Sequence, residues 1–376
     1  MAKHSVQEIL QQHLSEIVTR QNFAPHQRRA LQQLAICRTA KLGGHAQYCS
    51  AGHLNGIWYN SCKHRACPQC RGFAAAQWRQ NTESLLLRCA HHHVIFTLPE
   101  ELNILWRYNR ALMSDILFSA VKATLQLFAA DPRYLQATPG ILSVLHTWGR
   151  NLILHPHLHV LISHGGLNSE GEWLEPKKAA LFPQKPVMMV YRGKLLAGVR
   201  KALAEDQLKL PPSDHPHRTK SLLNKLGRKP WVVHFCPRYD HAGGVAKYLS
   251  RYVKSGPFNN GQLSHVDNHS VRFKYKSHRT QRVEVLTLSI DQFIERLMQH
   301  VPLPGKANVR YSGLYASSSR VNLNRARALL GQPVKTGSEA LVWPAYLEQL
   351  GYAPTCEVCG LPLIPVSVAE KVERVA

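Results

Sequence analysis

One segment, Leu154–Ile162, alternates histidines with apolar residues after Pro156. Side chains alternate between the two faces of a β-strand, so His157 and His159 project together. The apolar residues between and after them, such as Leu158, point to the opposite face and are expected to hold the strand in a core. Two imidazoles side by side on a rigid strand can chelate one divalent metal. The pattern therefore predicts both a strand and a metal site on its histidine face.

A second predicted strand supplies a candidate for the third ligand. Ile141–Thr147 precedes the strand Leu152–Ser163 across a short turn, a pattern typical of an antiparallel hairpin. Pairing across the turn would bring His146 beside His157, which makes His146 our first choice. Two other histidines are less well placed: His92 and His164. The competing interpretation is chance, since the chain contains 22 histidines.

Two tyrosines lie on one face of a predicted helix, Val245–Lys254. Tyr248 and Tyr252 are at positions i and i+4, which are neighbours on a helix surface. A phenol on such a face can attack a phosphate that a metal polarises, and so form a 5′-phosphotyrosine while a 3′-hydroxyl leaves. Tyrosine pairs at this spacing usually pack in cores, so the helix indicates catalysis only together with the histidine strand. Three basic residues of the helix would steer DNA: Lys247, Arg251 and Lys254.

The charge of the chain favours a nucleic-acid partner. Lys and Arg number 47 against 23 for Asp and Glu, which gives a net charge of +24. The basic residues are spread from Arg28 to Arg327, so they decorate folded domains rather than one tail. Such a positive field matches a phosphate backbone. A merely basic or ribosome-associated protein is the alternative.

Local patterns predict a series of helices and strands. Ser5 and Glu8 form a capping-box pattern at the start of the first helix. Further helices are expected at 27–36, 74–87, 101–129, 291–300 and 320–330, and further strands at 94–98, 231–236, 271–275 and 282–288.

We predict three domains. Residues 1–88 form a helical and zinc-binding domain for DNA, 89–301 a catalytic domain, and 302–376 a basic C-terminal region. Residues 167–229 are expected to be a basic elaboration or a mobile DNA-contacting loop. The chain has no glycine-rich nucleotide-binding fingerprint, so an α+β fold with a mainly antiparallel sheet backed by helices fits best.

The chain resembles the rolling-circle HUH transposases with two tyrosines, the IS91-like insertion-sequence group. The resemblance covers most of the chain, and the order and spacing of its motifs match. The motifs are TyrAsnSerCys at 59–62, CysProGlnCys at 67–70, HisHisHisValIlePheThrLeuPro at 91–99, HisProHisLeuHis at 155–159, TyrLeuSerArgTyr at 248–252 and ValArgPheLysTyrLys at 271–276.

This resemblance implies an enzyme that nicks and transfers single-stranded DNA and mobilises an insertion sequence by a rolling-circle-type mechanism. It implies a five-stranded antiparallel HUH-endonuclease palm with flanking helices, preceded by a small zinc-binding domain. Mg²⁺ or Mn²⁺ would bind at the histidine pair. One tyrosine would cleave first and the second would handle the other strand end. The partners would be the single-stranded ends of its own mobile element and target DNA, with an oligomer as an option and no membrane.

Cysteines between residues 49 and 70 predict a structural zinc ion. The spacing of Cys62, Cys67 and Cys70 suits a tetrahedral site, and Cys49 is the natural fourth ligand. Members of the family commonly have a second CxxC motif here, whereas this chain has His53 in its place, so four ligands are expected among these five. His45 is a further candidate.

The other cysteines have no evident metal role in the sequence. Cys356 and Cys359 lack obvious partners nearby. Three more are expected to be buried apolar residues: Cys37, Cys89 and Cys236. Three basic residues beside the zinc ligands are expected to contact DNA: Lys63, Arg65 and Arg71.

Two other functions compete with the transposase. A replication initiator or relaxase would use the same chemistry on another substrate, but no helicase motif is evident. A non-catalytic zinc-dependent DNA-binding regulator would leave the histidines and tyrosines unexplained. The N-terminal segment has no apolar core of the signal-peptide type, and no apolar run approaches membrane-spanning length. We therefore expect a cytoplasmic protein that associates with the bacterial nucleoid while it acts.

Overall fold

The computed structural model of the protein describes residues 4–212, 214–240, 256–277, 279–334, 340–352 and 354–368. The helices are α1 Val6–Arg20, α2 Pro25–Ala35, α3 Gly72–Leu85, α4 Asn103–Tyr108, α5 Arg110–Ala130, α6 Gln184–Ala204, α7 Pro216–Arg228, α8 Ile290–Met298, α9 Arg320–Leu329 and α10 Trp343–Gln349. The strands are β1 Gly44–Cys49, β2 Leu54–Tyr59, β3 His91–Thr97, β4 Thr138–Trp148, β5 Leu154–Leu167, β6 Trp173–Leu174, β7 Val233–Phe235, β8 Leu263–Val266, β9 Ser270–Lys276, β10 Val283–Ser289, β11 Val309–Gly313 and β12 Leu363–Val368.

The largest sheet contains the histidine strand, β5. Its strands follow the order β11-β4-β5-β3-β7, and the short β6 pairs with the end of β5. Every neighbouring pair is antiparallel. β4 and β5 form the predicted hairpin. The α+β fold with a mainly antiparallel sheet is therefore confirmed.

One face of this sheet is covered by α4 to α7. The apolar residues between the histidines of β5, Leu158 and Val160, are fully buried in a cluster with Leu117 of α5 and Tyr191 of α6. This is the core that the alternation in β5 predicts. Two helices, α4 and α5, replace the single helix expected over 101–129. They separate at Asn109, whose side chain accepts from the backbone N–H of Lys209 and donates to its carbonyl.

The expectation of a mobile loop over 167–229 is wrong, because α6 and α7 occupy much of that region. In α6 the buried residues Val187, Tyr191 and Leu195 follow one another at single-turn spacing and pack on the sheet. Pro183 directly precedes the first residue of α6, and Pro216 is the first residue of α7. Proline is tolerated at helix starts, so these prolines mark beginnings of helices rather than a loop.

The two N-terminal helices pack against a later part of the chain. α1 and α2 share a buried cluster with the small sheet β10-β9-β8 and with α8. The predicted capping box of Ser5 and Glu8 is present at the start of α1. Leu152, in the turn between β4 and β5, is 1% exposed and belongs to the same cluster. The tip of the histidine hairpin is therefore anchored in the core that the N-terminal helices form.

The C-terminal residues divide between two places. β11 adds an edge strand to the central sheet, and α9 packs with α3 on the face opposite α5. Farther along, β12 pairs with β1 in a three-stranded sheet of order β12-β1-β2. The cysteine-rich segment before α3 thus contains the β1-β2 hairpin.

Among the described residues, one helix, α5, is long and apolar enough to cross a membrane by length and composition alone. The expectation that no run reaches this length is therefore corrected. Met113, Leu117 and Val121 of α5 are buried against the central sheet. The apolar character of α5 is accounted for by this packing.

Candidate metal and DNA-processing site

The register of the β4-β5 hairpin gathers three histidines. His146 lies directly opposite His157, and Val144 lies opposite His159. Residues paired across antiparallel strands point to the same face, so the three imidazoles share one face of the sheet. One ring nitrogen from each of His146, His157 and His159 lies within 4.8 Å of the others. The structure thus brings together the three residues that the sequence nominates for the catalytic metal.

Hydrogen bonding fixes the tautomer of His157. Its Nδ1 lies 2.6 Å from the carbonyl oxygen of His155. A carbonyl oxygen only accepts, so Nδ1 donates, and a neutral ring keeps its lone pair on Nε2. That Nε2 lies 3.2 Å from Nε2 of His159. The two strand histidines therefore turn the same type of ring nitrogen toward one point.

His93 of β3 is a member of the site that sequence reasoning missed. Its Nε2 lies 2.8 Å from Nδ1 of His159, the ring nitrogen that faces away from His157. Metal-binding histidines usually bond a partner through their second nitrogen, and that partner sets their orientation. His93 and Ile95 lie on the same face of β3, and Ile95 lies opposite His159. The alternation of side chains along HisHisHisValIle at 91–95 places His93 and Ile95 on one face of a strand. The sequence alone does not show that this strand pairs with β5, so His93 could not be assigned to the site.

Burial favours the neutral form of two of these imidazoles, those of His146 and His159. Desolvation lowers the pKa of His146 well below 6.5, and the neighbouring His157 and His93 lower it further. Desolvation also lowers the pKa of His159, with contributions from His146, His157 and His93. A metal ligand must offer a lone pair, so neutral rings at neutral pH suit metal binding. The histidines considered less well placed, His92 and His164, instead contact each other, with Nε2 and Nδ1 2.7 Å apart.

The predicted tyrosine helix lies outside the described residues. This applies to Tyr248 and Tyr252 and to the basic residues Lys247, Arg251 and Lys254. The described chain leads to this segment through β7, and the backbone N–H of Tyr239 donates to the carbonyl of His91 at the start of β3.

Cysteines form a compact cluster in the N-terminal part of the chain. Cys62, Cys67 and Cys70 lie together with Cys37, and their four sulfurs are within 4.8 Å of one another. Cys37 Sγ is 3.6 Å from Cys67 Sγ, and Cys62 Sγ is 3.7 Å from Cys70 Sγ. Hydrogen bonds from Cys62 and then Cys67 lower the pKa of Cys37 to about 7. Sequence reasoning placed Cys37 among the buried apolar residues, but its position makes it the fourth thiol of a tetrahedral set.

The other two predicted zinc ligands lie in a different group. Cys49 and His53 are close to Cys356 and Cys359, and this second group shares no residue with the first. The single zinc site expected from the sequence is therefore divided in the structure. His45 belongs to neither group.

The basic residues beside the first cysteine cluster differ in exposure. Lys63 and Arg65 are exposed. Arg71 is 8% exposed, and its guanidinium donates to the carbonyl of Lys63. Lys63 and Arg65 are available to a phosphate backbone, whereas Arg71 supports the loop that carries them.

Comparison with known proteins agrees with this arrangement. Residues 9–98 match a family model described as "Transposase zinc-binding domain", and residues 140–322 match one described as "Putative transposase". The chain is 36% identical over 320 residues to "Putative transposase y4qJ" of Sinorhizobium fredii, a match that covers 83% of this chain and 80% of that protein. The chain belongs to the IS91-like family of transposases.

A second relative supports the same assignment. The transposase for insertion sequence element IS801 of Pseudomonas savastanoi pv. phaseolicola is 33% identical over 293 residues, covering 76% of this chain and 69% of that protein. Within this IS91-like transposase, the zinc-binding model spans Cys37 and the other thiols of its cluster, and the second model spans His146, His157 and His159.

Among solved structures, the transposase has a weak likeness to the conjugative relaxase TRWC in complex with oriT DNA. The TM-score is 0.23 and the identity 13%, and the match covers 43% of this chain and 68% of the relaxase. Similarity at this level carries no argument about the site.

Proposed function

We propose that this transposase nicks single-stranded DNA at the ends of its own element and transfers it through a 5′-phosphotyrosine. A divalent cation at His146, His157 and His159 would assist the reaction. The observation that carries the proposal is the convergence of these three imidazoles on one face of the β4-β5 hairpin. A rolling-circle-type mobilisation of the insertion sequence would follow from this chemistry. The site of action would be the cytoplasm, at the nucleoid.

The donor set fits a divalent transition metal. Three imidazole nitrogens are offered, and hydrogen bonds with the His155 carbonyl and with His93 orient the rings of His157 and His159. Nitrogen donors favour Mn²⁺ over Mg²⁺, since Mg²⁺ is held mainly through oxygen ligands. When bound, the cation would polarise the phosphoryl oxygens and neutralise the charge that develops on them.

The tyrosines would carry out the bond-forming step. Tyr248 or Tyr252 would supply the phenol oxygen that bonds to phosphorus as the bond from phosphorus to the 3′ oxygen breaks. The phenol loses its proton and the departing 3′ oxygen gains one, so the strand ends in a 3′-hydroxyl. The new phosphotyrosine retains the energy needed for later rejoining. A second tyrosine would allow the other strand end to be handled in the same way.

DNA would be held by basic residues of two segments. Lys63 and Arg65 are exposed beside the first cysteine cluster. Lys247, Arg251 and Lys254 share the segment of the tyrosines in the sequence. Contacts of lysine and arginine with phosphates position a strand without reading its bases. The proposed partners are single-stranded element ends and target DNA.

A covalent-trapping experiment tests the proposal. Full-length protein is incubated with labelled single-stranded element ends and Mn²⁺ or Mg²⁺, and a denaturation-resistant protein–DNA adduct is measured. We expect an adduct, with more in Mn²⁺. If DNA binds but no adduct forms with several such ends in either metal, the chain acts as a binding protein and the proposal is wrong.

Substitutions then assign the roles. Tyr248→Phe and Tyr252→Phe should each reduce one cleavage or transfer step, and the double variant should form no adduct. His157→Ala should lower adduct formation by about a thousandfold, an effect worth about 4 kcal/mol in the transition state. His155→Ala is the matched control, since this neighbour orients His157 through its backbone carbonyl. Unchanged adduct formation by His157→Ala would disprove the metal site.

A further inference from the structure

The second cysteine group joins segments that are far apart in the sequence. Cys49 and His53 flank the turn between β1 and β2, whereas Cys356 and Cys359 precede β12. Cys359 is 310 residues from Cys49. We propose that these four side chains bind a second structural zinc ion, which fastens the C-terminal segment onto the β1-β2 hairpin.

The distances among the four ligand atoms match a tetrahedral site. Cys49 Sγ lies 3.4 Å from His53 Nδ1 and 3.6 Å from Cys359 Sγ. Cys356 Sγ lies 3.8 Å from His53 Nδ1. Zinc–sulfur bonds of about 2.3 Å at tetrahedral angles separate two sulfurs by about 3.8 Å, and a zinc–nitrogen bond gives a slightly shorter edge. A disulfide requires about 2 Å between sulfurs, so the observed separation suits a shared ion better.

Both halves of the site are tight turns of similar construction. In the first, the N–H of Gly52 donates to the Cys49 carbonyl, and in the second the N–H of Gly360 donates to the Cys356 carbonyl. Gly52 and Gly360 have φ values of 82° and 71°. Such left-handed positions favour glycine and let the chain reverse closely around a ligand. Two facing turns with paired ligands are typical of structural zinc sites.

Hydrogen bonding around the thiols also favours metal binding. The backbone N–H of His53 donates to Cys49 Sγ over 3.4 Å. Backbone N–H groups of Cys359 and Val358 face Cys356 Sγ. Donors directed at sulfur stabilise the thiolates that bind zinc. Cys49 and Cys356 are each 4% exposed, while Cys359 is exposed and leaves a path for the ion.

Among the residues whose side chains the structure describes, the three-stranded sheet around this group has little apolar core of its own. The local buried cluster consists of Cys49, Cys356 and Leu363. In contrast, Leu54 and Ile57 of β2 are 54% and 53% exposed. A sheet this small is marginal without a cross-link or metal. An ion held by both segments would supply the stabilisation that apolar burial does not.

Other contacts bring the C-terminal segment to the same region. Trp343 and Tyr346 of α10 pack their rings against Phe73 of α3, at ring-centroid distances of 5.3 Å. Cys49 is paired with Leu363 in the register of β1 and β12. These contacts position the two halves of the site independently of the ion. The family models end at residues 98 and 322, so Cys356 and Cys359 lie outside both of them, whereas Cys49 and His53 lie within the zinc-binding model.

Metal content provides the direct test. The count is made in full-length protein carrying His157→Ala/His159→Ala, so that the histidine site contributes no ion. Purified with zinc under reducing conditions, this protein should contain two zinc ions per chain by elemental analysis. Adding Cys356→Ser/Cys359→Ser should leave one, because the thiols of Cys37 and its neighbours remain, whereas adding Cys89→Ser/Cys236→Ser, outside both cysteine groups, should leave two. One zinc ion before the cysteine changes, or two after Cys356→Ser/Cys359→Ser, would overturn the proposal.

Two further measurements identify the ligands even if a variant folds poorly. His53→Cys should retain two zinc ions, because a thiolate can replace the imidazole, whereas His53→Ala should lower the affinity of one. In the cobalt-substituted protein, His53→Cys should change the spectrum of one site from three sulfurs and one nitrogen to four sulfurs. An unchanged cobalt spectrum would exclude His53. A Cys49–Cys359 disulfide found by mass spectrometry in the zinc-loaded protein would also refute the site.

Discussion

The histidine site and the cysteine groups are assembled over very different distances along the chain. His157 and His159 are two residues apart on one strand, and His146 lies on the paired strand of the same hairpin. Cys67 and Cys37 are 30 residues apart, and Cys359 and Cys49 are 310 apart. Hydrogen bonds of one hairpin form the first site, whereas each cysteine group joins segments that are distant in the sequence. A metal should therefore contribute chemistry at the histidines and stability at the cysteines.

The largest expected effect follows from breaking the first cysteine cluster. Cys67 is 1% exposed in the core that contains α1 and α2, so Cys67→Ser removes a zinc ligand at a buried position. Structural zinc contributes strongly to folding, and we expect the free energy of unfolding to fall by at least about 3 kcal/mol. Denaturant unfolding followed with zinc content measures this.

His157→Asn is the matched variant at the other site. Because the sheet positions His157 without a metal, we expect the free energy of unfolding to change by less than about 1 kcal/mol while adduct formation is abolished. Equal losses of stability in the two variants would remove the distinction between a catalytic and a structural metal.

A substitution at the tip of the histidine hairpin tests whether this tip is anchored in the core of the N-terminal helices. Leu152 is buried in the core of the N-terminal helices, so Leu152→Ala should lower the free energy of unfolding by about 2 to 5 kcal/mol. The neighbouring Ile153 is 43% exposed, and Ile153→Ala is the control, with an expected change below about 1 kcal/mol. Denaturant unfolding compares the two. Equal changes would show that the hairpin tip is not anchored.

Lowering the pH should lower the free energy of unfolding through His300, which contacts the tip of the histidine hairpin. Its Nε2 donates to the Leu152 carbonyl over 3.0 Å, and Nδ1 lies 3.1 Å from Thr147 Oγ1. Burial lowers the pKa of His300 to about 4. The unfolded chain, with an ordinary pKa near 6.5, binds the proton more readily, so stability is lost as pH falls from about 6.5 to 4. The loss from this group is about 3 kcal/mol at most.

Unfolding free energies measured between pH 7 and pH 4 test this dependence. His300→Gln keeps a donor for the Leu152 carbonyl but does not titrate, so its stability should fall less over the same range. If the variant and the unmodified protein lose equal stability, other groups account for the pH dependence.

His93 allows a positioning residue to be distinguished from the metal ligands within the histidine site. It is a positioning residue, because its Nε2 contacts His159 Nδ1 rather than the point where the three ligand nitrogens converge. We expect His93→Leu to weaken Mn²⁺ binding by about 10- to 100-fold. At saturating Mn²⁺ the rate of adduct formation should largely recover.

His92→Leu is the matched control, since His92 contacts His164 instead of the site. Mn²⁺ titration of adduct formation compares the two variants. A defect that saturating Mn²⁺ fails to rescue would assign His93 a direct part in the reaction.

Local patterns in the sequence were sufficient to predict the hairpin and its three histidines. Alternation within β5 and pairing across one turn depend on neighbouring residues only. Predicting the role of His93 requires knowing which strands pair, and those strands are distant in the sequence. The proximity of Cys49 to Cys356 likewise depends on the pairing of β1 with β12. Cys37 was missed for a different reason, because a buried apolar cysteine and a buried zinc ligand look alike in sequence.

The smallest effect concerns the exposed cations of the zinc-binding segment. If Lys63 and Arg65 bind phosphates, each change to alanine should weaken single-stranded DNA binding by a few-fold, equally for all sequences. The slope of log affinity against log salt should become shallower by about 0.7 for each phosphate that the variant no longer neutralises. Zinc content should not change, because both side chains are exposed and neither belongs to a cysteine group.

Arg71→Ala is the informative control for these cations, since Arg71 donates to the Lys63 carbonyl. This substitution should lower stability as well as affinity, whereas Lys63→Ala and Arg65→Ala should lower affinity alone. Binding titrations at several salt concentrations, paired with thermal unfolding, separate the two outcomes. If Lys63→Ala and Arg65→Ala leave both affinity and salt dependence unchanged, the cysteine segment serves the fold alone and the DNA is held elsewhere on the chain.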